Sequence, residues 1–253
     1  MPEKADQKRR NRRRLIIVIT AAVLAGGAMV LGGQEILDTR DGGKAHATPS
    51  PTAEATPTPD SGDGTTAPAL DRRDPHDPYA IGNVDAPVVL TEWMDMRCPF
   101  CALYARETLP QVIDEYVESG QVRIEFNDIS FFGEDSIAGQ VAARAAGRQG
   151  KYIEYVEAVY ADAPLDGHPD LPREKLLGFA ETAGVPDLEQ FEVDLDSQEL
   201  LDEANAATAD AQELGIGVVP FFHAGGMVME GSQPIDVFRD YLDQMIDEAQ
   251  QTE

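Results

Sequence analysis

The sequence predicts an α/β domain with a helical insertion, and three observations carry that prediction. Apolar runs of strand length stand at Val88–Trp93, Val122–Phe126 and Val218–Phe222. A long stretch of helical periodicity, from about Glu134 to Leu214, separates the second run from the third. Helical patterns also follow the first strand and close the chain. The order is strand–helix–strand, a helical block, then strand–strand–helix, which suits a sheet with helices packed on it.

In chain order, Val88-Val89-Leu90 continues through Thr91-Glu92-Trp93 as a buried strand and leads into Cys98-Pro99-Phe100-Cys101. A helix is expected from about Pro99 to Ser119, with Leu103, Leu109, Val112, Ile113, Tyr116 and Val117 on its apolar side. Pro110 lacks an N–H and should kink that helix near its middle, and Gly120 should end it. Val122–Phe126 alternates apolar and polar residues, as a half-buried strand does. The helical block is broken at Gly147–Gly150, Pro164–Pro172 and Gly184–Pro186, and Asp196 followed by Glu199 marks the start of its last helix. Val218–Phe222 and Met227-Val228-Met229 read as neighbouring strands across the Gly225-Gly226 turn. The last helix opens at Pro234 and places Ile235, Phe238, Leu242 and Met245/Ile246 on one face.

The residues before this domain follow different physics. Residues 1–14 hold seven Lys/Arg against two Asp/Glu, a net of +5, and precede Leu15–Gly33, nineteen residues without a charge. At about 1.5 Å per helical residue the apolar run spans roughly 28 Å, the thickness of a bilayer's hydrocarbon core. With the basic cluster held in the cytoplasm, residues after Gly33 are expected outside. An uncleaved anchor is the expectation over a cleaved signal peptide, because the small-x-small site Ala45-His46-Ala47 lies far past the apolar run, while Gly26-Gly27-Ala28 is a weak candidate. Residues 34–75, rich in Pro, Thr and Ala, have almost nothing to bury and read as a disordered tether. The folded domain is expected over 76–253.

Charge and cysteine usage exclude several functions. The chain carries 20 Lys/Arg and 46 Asp/Glu, a net of −26, and such an acidic body repels a nucleic-acid backbone. Two cysteines in 253 residues exclude a disulfide-stapled scaffold and an all-cysteine zinc site. Both lie in one Cys-x-x-Cys, Cys98 and Cys101. Residues three apart on a first helical turn sit within disulfide range. Cys98 falls at the helix N-cap, where free N–H groups and the helix dipole stabilise a thiolate, and Pro99 at the first helical position forfeits no hydrogen bond. Cys98 is expected as the exposed attacking thiol and Cys101 as the resolving thiol behind it. Half a zinc site finds no partner in the spacing of His46, His76, His168 and His223. A structural disulfide closing so small a loop stabilises weakly.

Two further positions draw notice. Glu92 stands six residues before Cys98 inside an apolar strand. Buried there, its carboxyl would hold a proton at raised pKa and could take the proton of Cys101; a solvent-facing position is the alternative. Asp95, at the strand's exit, is expected to be solvated. Val219-Pro220 interrupts a strand-like run and calls for an edge or a special loop, with Pro220 either cis or trans.

Tyr79-Ala-Ile-Gly-Asn-Val-Asp-Ala-Pro-Val-Val-Leu90, Glu92-Trp-Met-Asp95 and Cys98-Pro-Phe-Cys101 resemble the DsbA-like branch of the thioredoxin superfamily. Gly217-Val-Val-Pro220-Phe-Phe resembles that family's second signature. The resemblance covers about residues 76–250 and implies a thioredoxin fold with the helical block at about 134–214 as its insertion. It implies Cys98 as nucleophile, a cis Pro220 facing it, Val219 with Pro99 and Phe100 at the substrate-docking surface, and Glu92 as the buried acid. Phe100 stands where the most oxidising members carry a histidine, which suggests a less acidic Cys98; Arg97 beside it is a possible compensation.

The expected function is a membrane-tethered thiol–disulfide oxidoreductase, without cofactor or metal, that oxidises cysteine pairs of exported proteins. A vitamin K epoxide reductase-like or DsbB-like membrane oxidase would restore its disulfide, and the protein would act as a monomer. A reductase or isomerase on the same fold is the second reading. A third is a copper module built on Met94, Met96, Met227, Met229, His223 and the two thiols.

Overall fold

A computed structural model describes residues 70–252. The expectations for residues 1–14, the apolar run 15–33 and the tether as far as residue 69 lie outside the described residues. Five strands form one mixed sheet: β1 (Ala80–Ile81), β2 (Val88–Met94), β3 (Val122–Asp128), β4 (Phe221–Ala224) and β5 (Met227–Glu230), in the order β1-β3-β2-β4-β5. β2 runs parallel to β3, and the other pairings are antiparallel. All seven residues of β2 are buried, because strands flank it on both edges and both of its faces are covered.

The helix after β2 is broken more sharply than a kink. It divides into α1 (Pro99–Glu107), α2 (Leu109–Val112) and a π-helical turn over Ile113–Val117. The break falls at Thr108, two residues before Pro110, whose missing N–H leaves the Arg106 carbonyl without its helical donor. Gly120 takes φ +80°, a left-handed conformation that ends the segment.

Helices α3 (Glu134–Arg148), α4 (Tyr152–Asp162), α5 (Arg173–Ala183), α6 (Leu188–Asp194) and α7 (Gln198–Glu213) fill the insertion. Its breaks fall where glycine and proline placed them. The last start differs by one residue: Ser197, not Asp196, caps α7 by accepting from the Leu200 N–H. α8 (Ile235–Thr252) closes the fold, with Phe238, Leu242, Met245 and Ile246 buried as its spacing predicts. Phe222 lies opposite Glu92 in the sheet, and its ring meets Tyr104 of α1 at 4.7 Å and Phe238 of α8 at 5.0 Å. Helices α1 and α8 therefore pack on the face of the sheet that carries Glu92. Such aromatic contacts add about 0.5–1.5 kcal/mol each beyond the area they bury.

Two expectations about the sheet need correction. The polar residues of β3 do not face water: Arg123 and Glu125 are both buried. Residues 71–77 cross that face and supply partners. The Glu125 carboxylate accepts from the backbone N–H of Arg72 at 2.6 Å, that of Arg73 at 2.9 Å, and the Arg123 guanidinium at 2.8 Å. Arg123 donates in turn to the Asp74 carbonyl at 2.7 Å. The folded unit thus begins by Leu70, which packs on the core, rather than at residue 76. The second correction is that β4 starts at Phe221; Gly217–Pro220 is a loop leading into it.

Candidate active site

Strand β2 ends at Met94 and the chain turns into α1 through Asp95-Met96-Arg97. Cys98 occupies the N-cap of α1 with extended backbone (φ −75°, ψ 118°), Pro99 follows at the first helical position, and Cys101 lies in the first turn. The Cys98 N–H donates to the Asp95 carbonyl at 3.0 Å, which closes the turn. From the other side comes the Gly217–Pro220 loop. The Val219–Pro220 peptide bond is cis, and the Cys98 thiol donates to the Val219 carbonyl across 3.4 Å. The fold thus brings Cys98, Cys101, Val219 and Pro220 together from segments more than a hundred residues apart. The two cysteines are free thiols in this structure.

The thiols are unequal. The Cys98 thiol is held below its ordinary pKa, first by a hydrogen bond from Cys101 and then by the N–H groups of Cys101 and Phe100, against the cost of burial. Burial pushes Cys101 well up, and the hydrogen bond it gives to Cys98 adds to this. Cys98 is not the exposed thiol the spacing suggested. Only 2 % of its surface is accessible, because the Val219 carbonyl lies over the sulfur. Phe100, 60 % exposed, is the prominent group of the motif, while Pro99 is half-buried.

Glu92 lies inside, at 2 % exposure, so the solvent-facing alternative falls. Its Oε2 has no hydrogen-bond partner, and burial pushes its carboxyl up to about 8. Beside it is a cavity of about 20 Å³ lined by Met94, Leu109, Phe126, Tyr152 and Tyr160, room for about one water. The Glu92 charge is one of the influences that raise Cys101, which places the two within electrostatic reach.

Asp95 overturns its expectation. It is fully buried, not solvated. Its Oδ1 accepts from the Arg97 N–H at 2.8 Å and the Ser136 hydroxyl at 2.8 Å, and its Oδ2 accepts from the Phe131 N–H at 2.6 Å. Its carbonyl also takes the Tyr160 hydroxyl at 3.0 Å. Its immediate neighbours Met94 and Met96 are buried as well. Arg97 does not compensate for the absent histidine. Its guanidinium turns to the carbonyls of Pro169, Phe132 and His168 and lies near Asp135 and Asp170. His168 in turn bonds the Arg97 carbonyl and stacks on Phe132 at 3.9 Å. The redox loop is therefore fastened to two loops of the insertion, contacts that local sequence patterns do not reveal. A groove of about 470 Å³ runs alongside, between Ser130–Phe132, Gln212 and Ile216–Val219.

The copper reading loses its ligand set. Met94 and Met96 are core residues at 1 % and 0 % exposure. Met227 and Met229 pair with Ala224 and Phe222, so His223, between those two, projects from the opposite face of the sheet. Among the described residues no three His, Cys, Asp or Glu gather as a ligand set.

A mixed sheet, a Cys-x-x-Cys at a helix N-cap and a cis-proline loop against the first thiol define the thioredoxin class. A thioredoxin family model matches residues 74–244, more than half of the chain, and the chain belongs to that family. The probable disulfide bond formation protein D of Bacillus cereus is 29% identical over 150 residues, 58% of this chain and 69% of that protein. Disulfide bond formation protein D of Bacillus subtilis is 20% identical over 166 residues, 64% of this chain and 74% of that one. Among solved structures, oxidised BdbD from Bacillus subtilis superposes with a TM-score of 0.62 at 18% identity, covering 67% of this chain and 92% of that chain. DsbA from Chlamydia trachomatis gives 0.58 at 18% identity, over 74% and 96%. Within the family, this protein is a DsbA-like thiol–disulfide oxidoreductase.

Proposed function

We propose that the protein is exported, tethered to the membrane through residues 15–33, and oxidises cysteine pairs of exported proteins. The observation that carries the direction is the inequality of the two thiols. A Cys98 thiol held below its ordinary pKa favours the reduced pair, which makes the Cys98–Cys101 disulfide easier to give away. A client thiolate attacks Cys98 and expels Cys101, whose high proton affinity is met by a proton from Glu92. The second client thiol then attacks the mixed disulfide, and Cys98 leaves. Val219 and Pro220 hold the client backbone beside Cys98, and Pro99 and Phe100 supply an apolar contact. The Bacillus relatives, disulfide bond formation proteins D by name, support the assignment. A vitamin K epoxide reductase-like or DsbB-like membrane oxidase restores the disulfide, and the protein works as a monomer.

The reductase reading rests on a specific pair of observations. The Phe100 side chain offers the thiolate no donor, and the charge of buried Asp95 opposes it. Equilibration of the full-length protein with glutathione buffers separates the two. A potential above roughly −180 mV supports an oxidase, and one near roughly −270 mV supports a reductase. Cys98→Ser should abolish oxidation of a dithiol peptide, and Cys101→Ser mixed with the disulfide form of that peptide should accumulate a mixed disulfide through Cys98 on a gel; retained turnover in Cys98→Ser would remove the assignment of the nucleophile.

A further inference from the structure

Around the redox pair the titratable groups are few. Glu92 comes from β2, Asp95 from the turn, Tyr160 from α4, and the Gly217–Pro220 loop brings none. Burial holds the Glu92 proton up to about 8 and keeps Tyr160 neutral well beyond that. Asp95 is different. Every group bound to its carboxylate is a donor: two backbone N–H groups and the Ser136 hydroxyl. Such a set fits the ionised form, which accepts at both oxygens. No cation is paired with it among the described residues, since Arg97 spends its guanidinium on the insertion loops. Its backbone carbonyl meanwhile fixes the N–H of Cys98.

We propose that Asp95 is the positioning residue that sets how tightly the Cys98–Cys101 pair holds its electrons, through a negative charge locked behind the nucleophile by Ser136, Phe131 and Arg97. Reduction breaks the Cys98–Cys101 bond and adds two electrons, drawn from a dithiol that closes to a disulfide and releases two protons. One proton is taken up at Cys101, the other goes to solvent, and Cys98 keeps the negative charge. Asp95 opposes that last charge, in keeping with its upward influence on Cys98. It therefore favours the disulfide and moderates the oxidising strength that the helix N-terminus confers. The proposal rests on the thiol–disulfide chemistry of the pair, not on the direction of electron flow, which the wild-type potential reports separately.

The test compares full-length wild type with Asp95→Asn and Ser136→Ala in glutathione buffers at pH 7, with thiol alkylation reading the dithiol fraction. Ultraviolet titration of the thiolate is run alongside. Asp95→Asn removes the charge. The equilibrium should move at least threefold toward the dithiol, about 14 mV for a two-electron couple, and the Cys98 titration should move to lower pH. Ser136→Ala keeps the charge with one donor fewer, so its equilibrium should move the other way. Loosening of the loop would shift both variants in one direction, and that result overturns the proposal. So does an Asp95→Asn protein whose equilibrium is unchanged. If Asp95→Asn fails to fold, Ser136→Ala decides: a shift toward the disulfide supports the assignment, and no shift ends it.

Discussion

Glu92 and Asp95 are two carboxyl groups three residues apart, both buried, and they behave as different chemical species. Glu92 faces a water-sized, largely apolar cavity with one oxygen unpartnered, so burial acts unopposed and its proton stays on to about pH 8. Burial raises Asp95 too, but the hydrogen bonds from Arg97, Phe131 and Ser136 pull the other way. The difference lies in donors rather than in depth. One side chain is built to hold and release a proton, the other to remain an anion that ties the redox loop to the helical insertion.

The largest test of this contrast is the pH dependence of stability. Folded Glu92 keeps its proton to about 8, while the unfolded chain loses it near the ordinary 4.5. Between those values the native state binds more protons, so stability falls as pH rises from about 4.5 to 8. The full span corresponds to roughly 5 kcal/mol. Glu92→Gln should erase that slope and leave a protein more stable than wild type above pH 8, as urea melts at several pH values would show. An unchanged slope would mean that Glu92 titrates normally and that the contrast with Asp95 is false.

A smaller effect is expected where α3 presses on the loop that carries Asp95. A Cβ on Gly139 would stand 2.8 Å from Leu171 Cδ1 and 3.0 Å from Met96 Cβ. Gly139→Val should therefore cost about 1–3 kcal/mol of overpacking and displace Met96, with thermal melts reading the first. Full stability would show that the insertion does not bear on the loop. The smallest is Tyr160→Phe, which removes the hydroxyl bond to the Asp95 carbonyl. About 1 kcal/mol should be lost, with the pH slope assigned to Glu92 retained. Loss of that slope would tie the two carboxyl groups into one unit and dissolve the comparison.

Much of the fold was legible because its signals are local. The breaks at Gly147–Gly150 and Pro164–Pro172, the cap at Pro234 and the buried face of α8 are dictated by residues close in sequence. The paired thiols, their N-cap position and the proline loop were legible for the same reason. What escaped depended on contacts across the chain. β3 looks amphipathic until residues 71–77 are laid over Arg123 and Glu125. Asp95 looks solvated until Ser136 and Phe131 come up to meet it. Cys98 looks exposed until Val219, far along the chain, reaches its sulfur. Periodicity reports on neighbours along an element, and each of these corrections comes from a neighbour in space.

The segment lying over β3 also decides how far the folded unit can be trimmed from its N-terminal side. Trimming at residue 76, the boundary that composition suggests, would take away the two main-chain N–H groups that Arg72 and Arg73 give to Glu125, and the Asp74 carbonyl that holds Arg123. The Glu125 carboxylate would keep only Arg123, and Arg123 only Glu125 and the Gly82 carbonyl, and removing partners from buried charges costs several kcal/mol. A chain trimmed to begin at Leu70 should remain an intact enzyme. One trimmed only a few residues further should melt early, so the last few residues before β1 are the clasp that keeps the sheet closed on that side.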